Sequence, residues 1–125
     1  MKNALLITLL FSISIFSQES IETRFIEKTI LNIEKLVDVD DFNTIYYIDN
    51  DVFYKRNNDK TISYNNLQLG NITSANAFNR LKINLFYKDF NTAIVLDNRL
   101  AEIFKIDFNN TQPYRSVSYI STGND

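Results

Sequence analysis

The sequence predicts an all-β protein, and three observations support that fold class. The chain of 125 residues is 45% hydrophobic and 22% charged, which suits a folded domain rather than a disordered chain. It contains 7 Tyr and 10 Phe, residue types that suit a pleated, half-buried surface. Apolar runs of about five residues recur, which is the length of a strand rather than a helix. Clusters of Asn and Asp separate the runs, and these residues favour turns because they tolerate positive φ.

The first segment is interpreted as a signal peptide, not as part of the fold. Lys2 supplies a positive charge, residues 4–16 form an apolar run, and Ser17 and Gln18 follow it. This order is that of a secretory signal peptide, with cleavage expected between Ser17 and Gln18. An uncleaved membrane anchor is the alternative, but the run is shorter than the roughly 20 residues that cross a bilayer.

Export follows from this interpretation. A lipoprotein anchor requires a Cys at the cleavage point, and the chain has none. We therefore expect a protein in the periplasm or outside the cell, with residues 18–125 as its mature part and no membrane span.

Residues 19–36 allow two interpretations. Ile26, Ile30 and Ile33 follow one another at steps of three and four, which suits an amphipathic helix. Thr29 and Ile30 are β-branched, however, and no cap marks a helix end. Extended structure over residues 24–31 is the preferred prediction, and the helix remains the alternative.

Seven strands are predicted along the rest of the chain. They cover residues 35–39, 44–48, 52–55, 72–77, 82–87, 92–97 and 102–108. A further alternating run occupies residues 116–121, before a turn-like end. Asp49 and Asn50 lie between two of the apolar runs, and this pattern predicts a tight hairpin.

A repeated segment makes the prediction of architecture more specific. The ten residues from Asp41 to Asn50 match those from Asp89 to Asn98, at a separation of 48 residues, with six identities and apolar residues at the other four positions. A period of about 40 to 50 residues with four strands per unit is typical of a β-propeller blade. We therefore predict antiparallel meander blades, with a small antiparallel β-sandwich or β-roll as the alternative. Residues 18–125 would hold about two blades, whereas a closed ring needs roughly four or more, so an incomplete propeller is expected.

Residues 43–108 also resemble the N-terminal part of a family of exported bacterial β-propeller-like proteins of unassigned function. The segments that carry the resemblance are Gly70-Asn71-Ile72-Thr73-Ser74, Leu81-Lys82-Ile83, Phe86-Tyr87-Lys88-Asp89-Phe90-Asn91-Thr92 and Leu96-Asp97-Asn98-Arg99-Leu100. The family pattern has Pro after the Asn that precedes Leu-Lys, whereas this chain has Arg80 there. The resemblance implies a propeller that continues beyond residue 125.

Composition excludes several kinds of chemistry. The chain has no His and no Cys, which removes His-based catalytic triads, disulfides and most zinc sites. The formal net charge of −2 leaves no basic surplus for nucleic acid, and no Gly-rich phosphate loop occurs.

Acidic residues offer the remaining candidate sites, and each is better explained as turn chemistry. Five of them are grouped in the sequence: Asp38, Asp40, Asp41, Asp49 and Asp51. A calcium loop starting at Asp38 would need an acidic or amide residue where Phe42 stands and Gly where Asn43 stands. The pairs Asp49 with Asp51 and Asp89 with Asp97 are likewise interpreted as hairpin residues. No catalytic, cofactor-binding or metal-binding residue is predicted.

Two function classes remain open. Tyr46, Tyr47, Phe53 and Tyr54 could stack on a ligand, although alternating aromatics of a strand more often form a core. The predicted first strand of the second blade offers Thr73 and Ser74 and no ionisable group. This favours a non-enzymatic binding or scaffold module of the cell envelope, with an unknown protein or envelope partner. The alternative is the N-terminal fragment of an exported propeller enzyme of hydrolase or lyase type. Unpaired strand edges would also permit self-association.

Overall fold

A computed structural model describes residues 21–25, 28, 30–58 and 60–123. The chain divides into two units, Met1–Ile30 and Leu31–Asp125. The signal peptide predicted for residues 1–17 and its cleavage point at Ser17 and Gln18 lie outside the described residues. In the first unit the described residues form neither helix nor strand, so neither prediction for residues 24–31 is confirmed, and Ile26, Glu27 and Thr29 lie outside the described part.

The second unit is all-β and consists of two four-stranded antiparallel meanders. In the first sheet the strands follow chain order: β1 (Lys35–Val39), β2 (Ile45–Asp49), β3 (Val52–Arg56) and β4 (Thr61–Tyr64). The second sheet has the same order: β5 (Ser74–Asn76), β6 (Ile83–Tyr87), β7 (Thr92–Leu96) and β8 (Glu102–Asp107). Short 3-10 turns, Lys88–Phe90 and Phe108–Asn110, follow β6 and β8. The all-β prediction is therefore confirmed.

Local sequence explains the tight connections. β2 and β3 are joined by a two-residue hairpin in which Asn50 and Asp51 have φ of 49° and 59°. Two central residues with positive φ match the right-handed twist of the flanking strands, and Asn and Asp adopt this conformation more readily than other side chains do. The hairpin predicted at Asp49 and Asn50 is confirmed, one residue further along.

Two further predictions need correction. β4 was not predicted, although Ile62 and Tyr64 alternate with the exposed Thr61 and Ser63 as a half-buried strand requires. The alternating run at residues 116–121 does not form a strand in the structure, so interpreting it as a strand is wrong. An alternating run becomes a strand only when a neighbour pairs with its backbone, and no described strand pairs with this one.

The hydrophobic core lies between the two sheets. Its fully buried members are Tyr46, Phe53, Ile83, Leu85, Tyr87, Ile94 and Leu96. In the first sheet Tyr46 and Ile48 of β2 face the core, whereas Tyr47 between them faces away. The period of two along each strand thus sorts the side chains into two faces.

The two sheets stack in the same orientation rather than as mirror images. Corresponding strands begin 38 to 41 residues apart: Lys35 and Ser74, Ile45 and Ile83, Val52 and Thr92, Thr61 and Glu102. In this register Tyr46 of β2 corresponds to Asn84 of β6, which lies on the face of the second sheet that points away from the core. Tyr47, which faces away from the core, corresponds to Leu85, which faces it. The two sheets therefore meet through opposite faces.

The correspondence of strands between the two sheets also changes the interpretation of the repeated segment. The two matching segments do not occupy corresponding strands, because Asp41–Asn50 spans β2, the second strand of its sheet, and Asp89–Asn98 spans β7, the third. What recurs after 48 residues is a turn with a strand, and Asn43 and Asn91 hold the same left-handed position in it, with φ of 58° and 47°. The prediction that 48 residues is the period of the whole unit is wrong, and the sheets repeat at 38 to 41 residues.

Candidate functional site

The predicted acidic cluster is divided by the fold. Asp40 and Asp41 lie in the turn before β2, whereas Asp49 and Asp51 lie at its other end. Asp89 and Asp97 are likewise at opposite ends of β7. Among the described residues no group of three or more carboxylates, Cys or His is placed to hold a metal ion.

Asp40 is the one buried carboxylate in the described core, and it stabilises a turn. Its Oδ1 accepts hydrogen bonds from the backbone N–H groups of Phe42 and Thr44, both at 2.9 Å. Its Oδ2 accepts from Nε of Arg80 at 3.1 Å and from the hydroxyl of Tyr46 at 3.4 Å. Burial raises the pKa of Asp40, but the hydrogen bonds from Thr44 and Phe42 and the charge of Arg80 outweigh it and hold this pKa below its ordinary value. Asp40 is therefore an ionised anchor between the two sheets.

Arg80 occupies the position where the sequence departs from the resembled family. Its guanidinium reaches across from the β5–β6 connection to the β1–β2 turn. Arg80 therefore links these two connections by an ion pair with Asp40.

The predicted aromatic group is split between the two faces of the first sheet. Tyr46 and Phe53 are buried in the core with their ring centroids 6.4 Å apart, which confirms the core interpretation for these two residues. Tyr47 and Tyr54 pair across β2 and β3 on the opposite face, and their rings stack at 4.9 Å with an interplanar angle of 12°. This second pair is half-buried, and it remains accessible to a partner.

The face that carries the tyrosine stack has an apolar centre, and the described residues leave much of it exposed. Leu36 pairs with Tyr47, and Val39 pairs with Ile45, so both lie on this face. Leu36 is 52% exposed and Val39 is 49% exposed. Asp49 and Arg56 lie on the same face at its ends. We call this surface the open face, and its apolar residues are Leu36, Val39, Ile45, Tyr47, Val52 and Tyr54. Sequence reasoning missed it because alternation shows that a strand has two faces without showing which of them is covered.

The far side of the second sheet, in contrast to the open face, is largely covered. Phe86 and Ala93 point away from the core, yet they are only 0% and 3% exposed. The C-terminal segment, residues 115–122, is hydrogen-bonded on that side. Asn91 holds its first part, accepting a hydrogen bond from Val117 N at 2.9 Å and donating one to the Arg115 carbonyl at 2.7 Å.

The second part of the C-terminal segment is held by Thr122. Its hydroxyl accepts a hydrogen bond from Asn84 and donates one to Asn76, at 3.0 Å and 2.8 Å. The segment thus runs from the Asn91 end of β6 towards the start of that strand, antiparallel to β6 and parallel to β5. It covers the inner part of this face and leaves Phe104 and Ile106 of β8 63% and 41% exposed.

The remaining predicted polar residues have structural partners. The Thr73 hydroxyl accepts a hydrogen bond from Lys88 N at 3.0 Å. Ser74 begins β5 and pairs with Phe86. In the part of the chain that the structure describes, no helix has the length and apolar character needed to cross a membrane.

Comparison of the chain with protein-family models, with curated proteins and with solved structures found no match. The resemblance of residues 43–108 to exported propeller-like proteins therefore stays a prediction.

Proposed function

We propose that this chain is an exported, non-enzymatic binding or scaffold module of the cell envelope, built from two blades of a β-propeller. The observation that carries the proposal is the open face. It is the counterpart of the face by which the second sheet packs on the first, and the described residues leave much of it exposed.

The stacking of the two sheets supports the propeller part of the proposal. Propeller blades are four-stranded meanders, and each meets the blade before it and the blade after it with opposite faces. Here both sheets are four-stranded meanders that meet through opposite faces, and β1 and β5, the first strands of the two sheets, approach each other. A mirrored sandwich would instead place corresponding faces of the two sheets against each other, which the register of Tyr46 with Asn84 does not support.

The stacking of the two sheets indicates which kind of surface would cover the open face. In the second sheet the corresponding face, which carries Leu85 and Ile94, is covered by Tyr46, Ile48 and Phe53 of the first sheet. The complement of the open face is therefore the opposite face of another blade-like sheet. A second copy of this chain offers the outer part of such a face on β8, where Phe104 and Ile106 are exposed, because its C-terminal segment covers the rest. We commit to that occupant, in a head-to-tail contact that can propagate or close into a ring.

Sedimentation velocity over a range of protein concentrations tests this assignment. We expect reversible association to dimers or larger species that weakens when Tyr47 and Tyr54 are replaced by Ser. Leu67→Ser is the control, because Leu67 is 90% exposed in the β4–β5 connection, outside the open face and outside the C-terminal segment, and it should leave association unchanged. A monomer at every concentration, or equal effects of the open-face and control substitutions, would contradict the second copy as occupant.

Export is tested separately. Mass spectrometry of the protein recovered from the envelope or medium should show Gln18 at the N-terminus. A product that retains Met1 would remove the export part of the proposal.

A further inference from the structure

A second surface, distinct from the open face, concentrates positive charge. Lys55 of β3, Lys60 of the β3–β4 turn and Arg99 of the β7–β8 turn line one cleft of about 290 Å³. Asn57, Ile62 and Asn98 complete its lining. Three cations thus converge from three segments of a chain whose net charge is −2. We call this surface the basic cleft.

One of the cationic side chains of the cleft, that of Lys55, is held in place by other contacts. Lys55 Nζ donates a hydrogen bond to the Asn98 carbonyl at 2.8 Å and lies 5.8 Å from the centre of the Tyr46 ring. These contacts leave ammonium hydrogens of Lys55 for a further acceptor, since an ammonium has three donors.

The turns that carry the other two cations are closed by their own hydrogen bonds. In the first turn, Lys60 N donates to the Asn57 side chain at 2.8 Å and the Lys60 carbonyl accepts from Asn57 N at 3.0 Å. In the second turn, Asp97 Oδ1 accepts from the backbone N–H groups of Arg99 and Ala101, both at 2.8 Å. The backbone of Lys60 and of Arg99 is therefore hydrogen-bonded before any ligand arrives, which lowers the entropic cost of binding.

The charges of the cleft are only partly balanced by the described residues. The backbone hydrogen bonds from Ala101 and Arg99, together with the charges of Arg99 and Lys55, hold the pKa of Asp97 below its ordinary value. No carboxylate lines the cleft among the residues that the structure describes. Three cations around one concavity create a positive local potential that attracts anions.

We propose that the basic cleft binds a small phosphate-bearing ligand of about monosaccharide size. Two ammonium groups provide point charges and a guanidinium provides a planar fork, and both suit the oxygens of a phosphate dianion. The volume of about 290 Å³ lies near the lower limit of about 300 Å³ for small-molecule sites. Ile62 supplies an apolar wall against which the carbon skeleton of a phosphate ester can pack.

Titration of the ¹⁵N-labelled protein by NMR tests the site, with inorganic phosphate and glucose 6-phosphate as probes. We expect saturable shifts of the backbone amides of Asn57, Lys60, Asn98, Arg99 and Ala101. The double variant Lys60→Ala, Arg99→Ala should bind each probe about tenfold more weakly or worse, since a hydrogen bond to a charged group contributes roughly 1.5 to 3 kcal/mol. Raising the salt from about 0.05 M to about 0.2 M should weaken binding, because screening shortens the Debye length.

Controls separate the site from general charge effects. Lys82→Ala removes an exposed lysine outside the cleft, and it should change the affinity by less than about twofold. Lys60→Gln serves if the double variant does not fold, because it removes one charge and keeps a polar side chain. Tighter binding of glucose 6-phosphate than of phosphate would identify an ester as the ligand, and equal affinity would identify the free anion.

Two results would overturn the proposal. One is the absence of saturable shifts at the cleft amides with either probe. The other is a loss of binding in Lys82→Ala as large as in the cleft variants. Neither result bears on self-association through the open face, so the two proposals fail independently.

Discussion

Replacement of Asp40 by Ala should destabilise the fold much more than the same replacement at Asp97, although both residues close the same kind of turn. In each turn Oδ1 of the Asp accepts the backbone N–H groups of the second and fourth following residues. In each turn the third following residue has positive φ, 58° for Asn43 and 64° for Leu100. The difference is burial, since Asp40 is 6% exposed whereas the bonds of Asp97 face solvent.

The magnitude follows from the groups that lose their partner. Without the carboxylate, the buried Thr44 amide is left unsatisfied, which costs about 1 to 3 kcal/mol. The Arg80 pair adds at most about 1 kcal/mol, because the Arg80 side chain is 40% exposed and water replaces the lost partner. The amide of Phe42 and the hydroxyl of Tyr46 add smaller amounts. We expect Asp40→Ala to lower the free energy of unfolding by about 3 kcal/mol, or Tm by roughly 12 to 24 °C.

Urea denaturation followed by circular dichroism measures this difference. Asp97→Ala is the matched control, and it should shift the midpoint by less, since water can satisfy the exposed amides of its turn. Asp40→Asn keeps an oxygen acceptor and removes the charge, so it should fall between Asp40→Ala and the parent. A loss below about 0.5 kcal/mol for Asp40→Ala, within the range of ordinary surface substitutions, would refute the reasoning. Equal effects at Asp40 and Asp97 would also refute it.

Acid stability provides a second measurement of the same group. The pKa of Asp40 is lower in the folded protein than its ordinary value of 3.8, so the folded state favours the ionised form. Its contribution to stability is then complete above pH 3.8 and disappears as the pH falls through the folded pKa. Asp40→Asn should remove this component of the acid dependence, whereas a pH profile identical to that of the parent would contradict it.

Three other predictions concern single side chains. Burial of Tyr64 and the hydrogen bond that its hydroxyl donates to Glu102 raise the pKa of Tyr64 from 10.0 to about 12, so the stability of the fold should fall as the pH rises from 10.0 towards 12. Tyr64→Phe should remove this component of the alkaline stability profile, and an unchanged profile would contradict the prediction. The Tyr87 hydroxyl is buried without a hydrogen-bond partner among the described residues, so Tyr87→Phe should raise the free energy of unfolding by about 1 kcal/mol. A clear loss of stability in urea denaturation would show instead that the hydroxyl has a partner. Asn91→Gly keeps the positive φ but removes the side chain that holds the C-terminal segment, so trypsin should cut after Arg115 faster than it does in the parent protein. An unchanged cleavage rate would show that other contacts hold the segment.

Much of the fold could be predicted because its signals are local. The five-residue apolar runs and the Asn and Asp turns located seven of the eight described strands, and the Asn50 turn followed from residues that tolerate positive φ. β4 was missed because only Ile62 and Tyr64 carry its pattern. The run at residues 116–121 was overpredicted because pairing depends on a neighbour that local pattern does not report.

The candidate sites could be predicted far less well. The basic cleft unites Lys55 with Arg99, which are 44 positions apart in the chain, and their proximity depends on how the sheets stack. Predicting the open face would have required knowing which side of β2 is covered by the second sheet. The matching segments were correctly recognised as similar, but they lie in different strand positions, so similarity alone misjudged the period of the sheets.

Local preferences were enough to indicate short antiparallel strands joined by Asn and Asp turns, because they act between residues a few positions apart. The stacking of the two sheets in the same orientation became visible in the fold, as did the outward position of Tyr47 and Tyr54 and the core position of Tyr46 and Phe53. So did the burial of Asp40 and its lowered pKa. Burial and charge pairing depend on which surfaces meet. That choice is made by the packing of whole sheets, and not by any one segment of the chain.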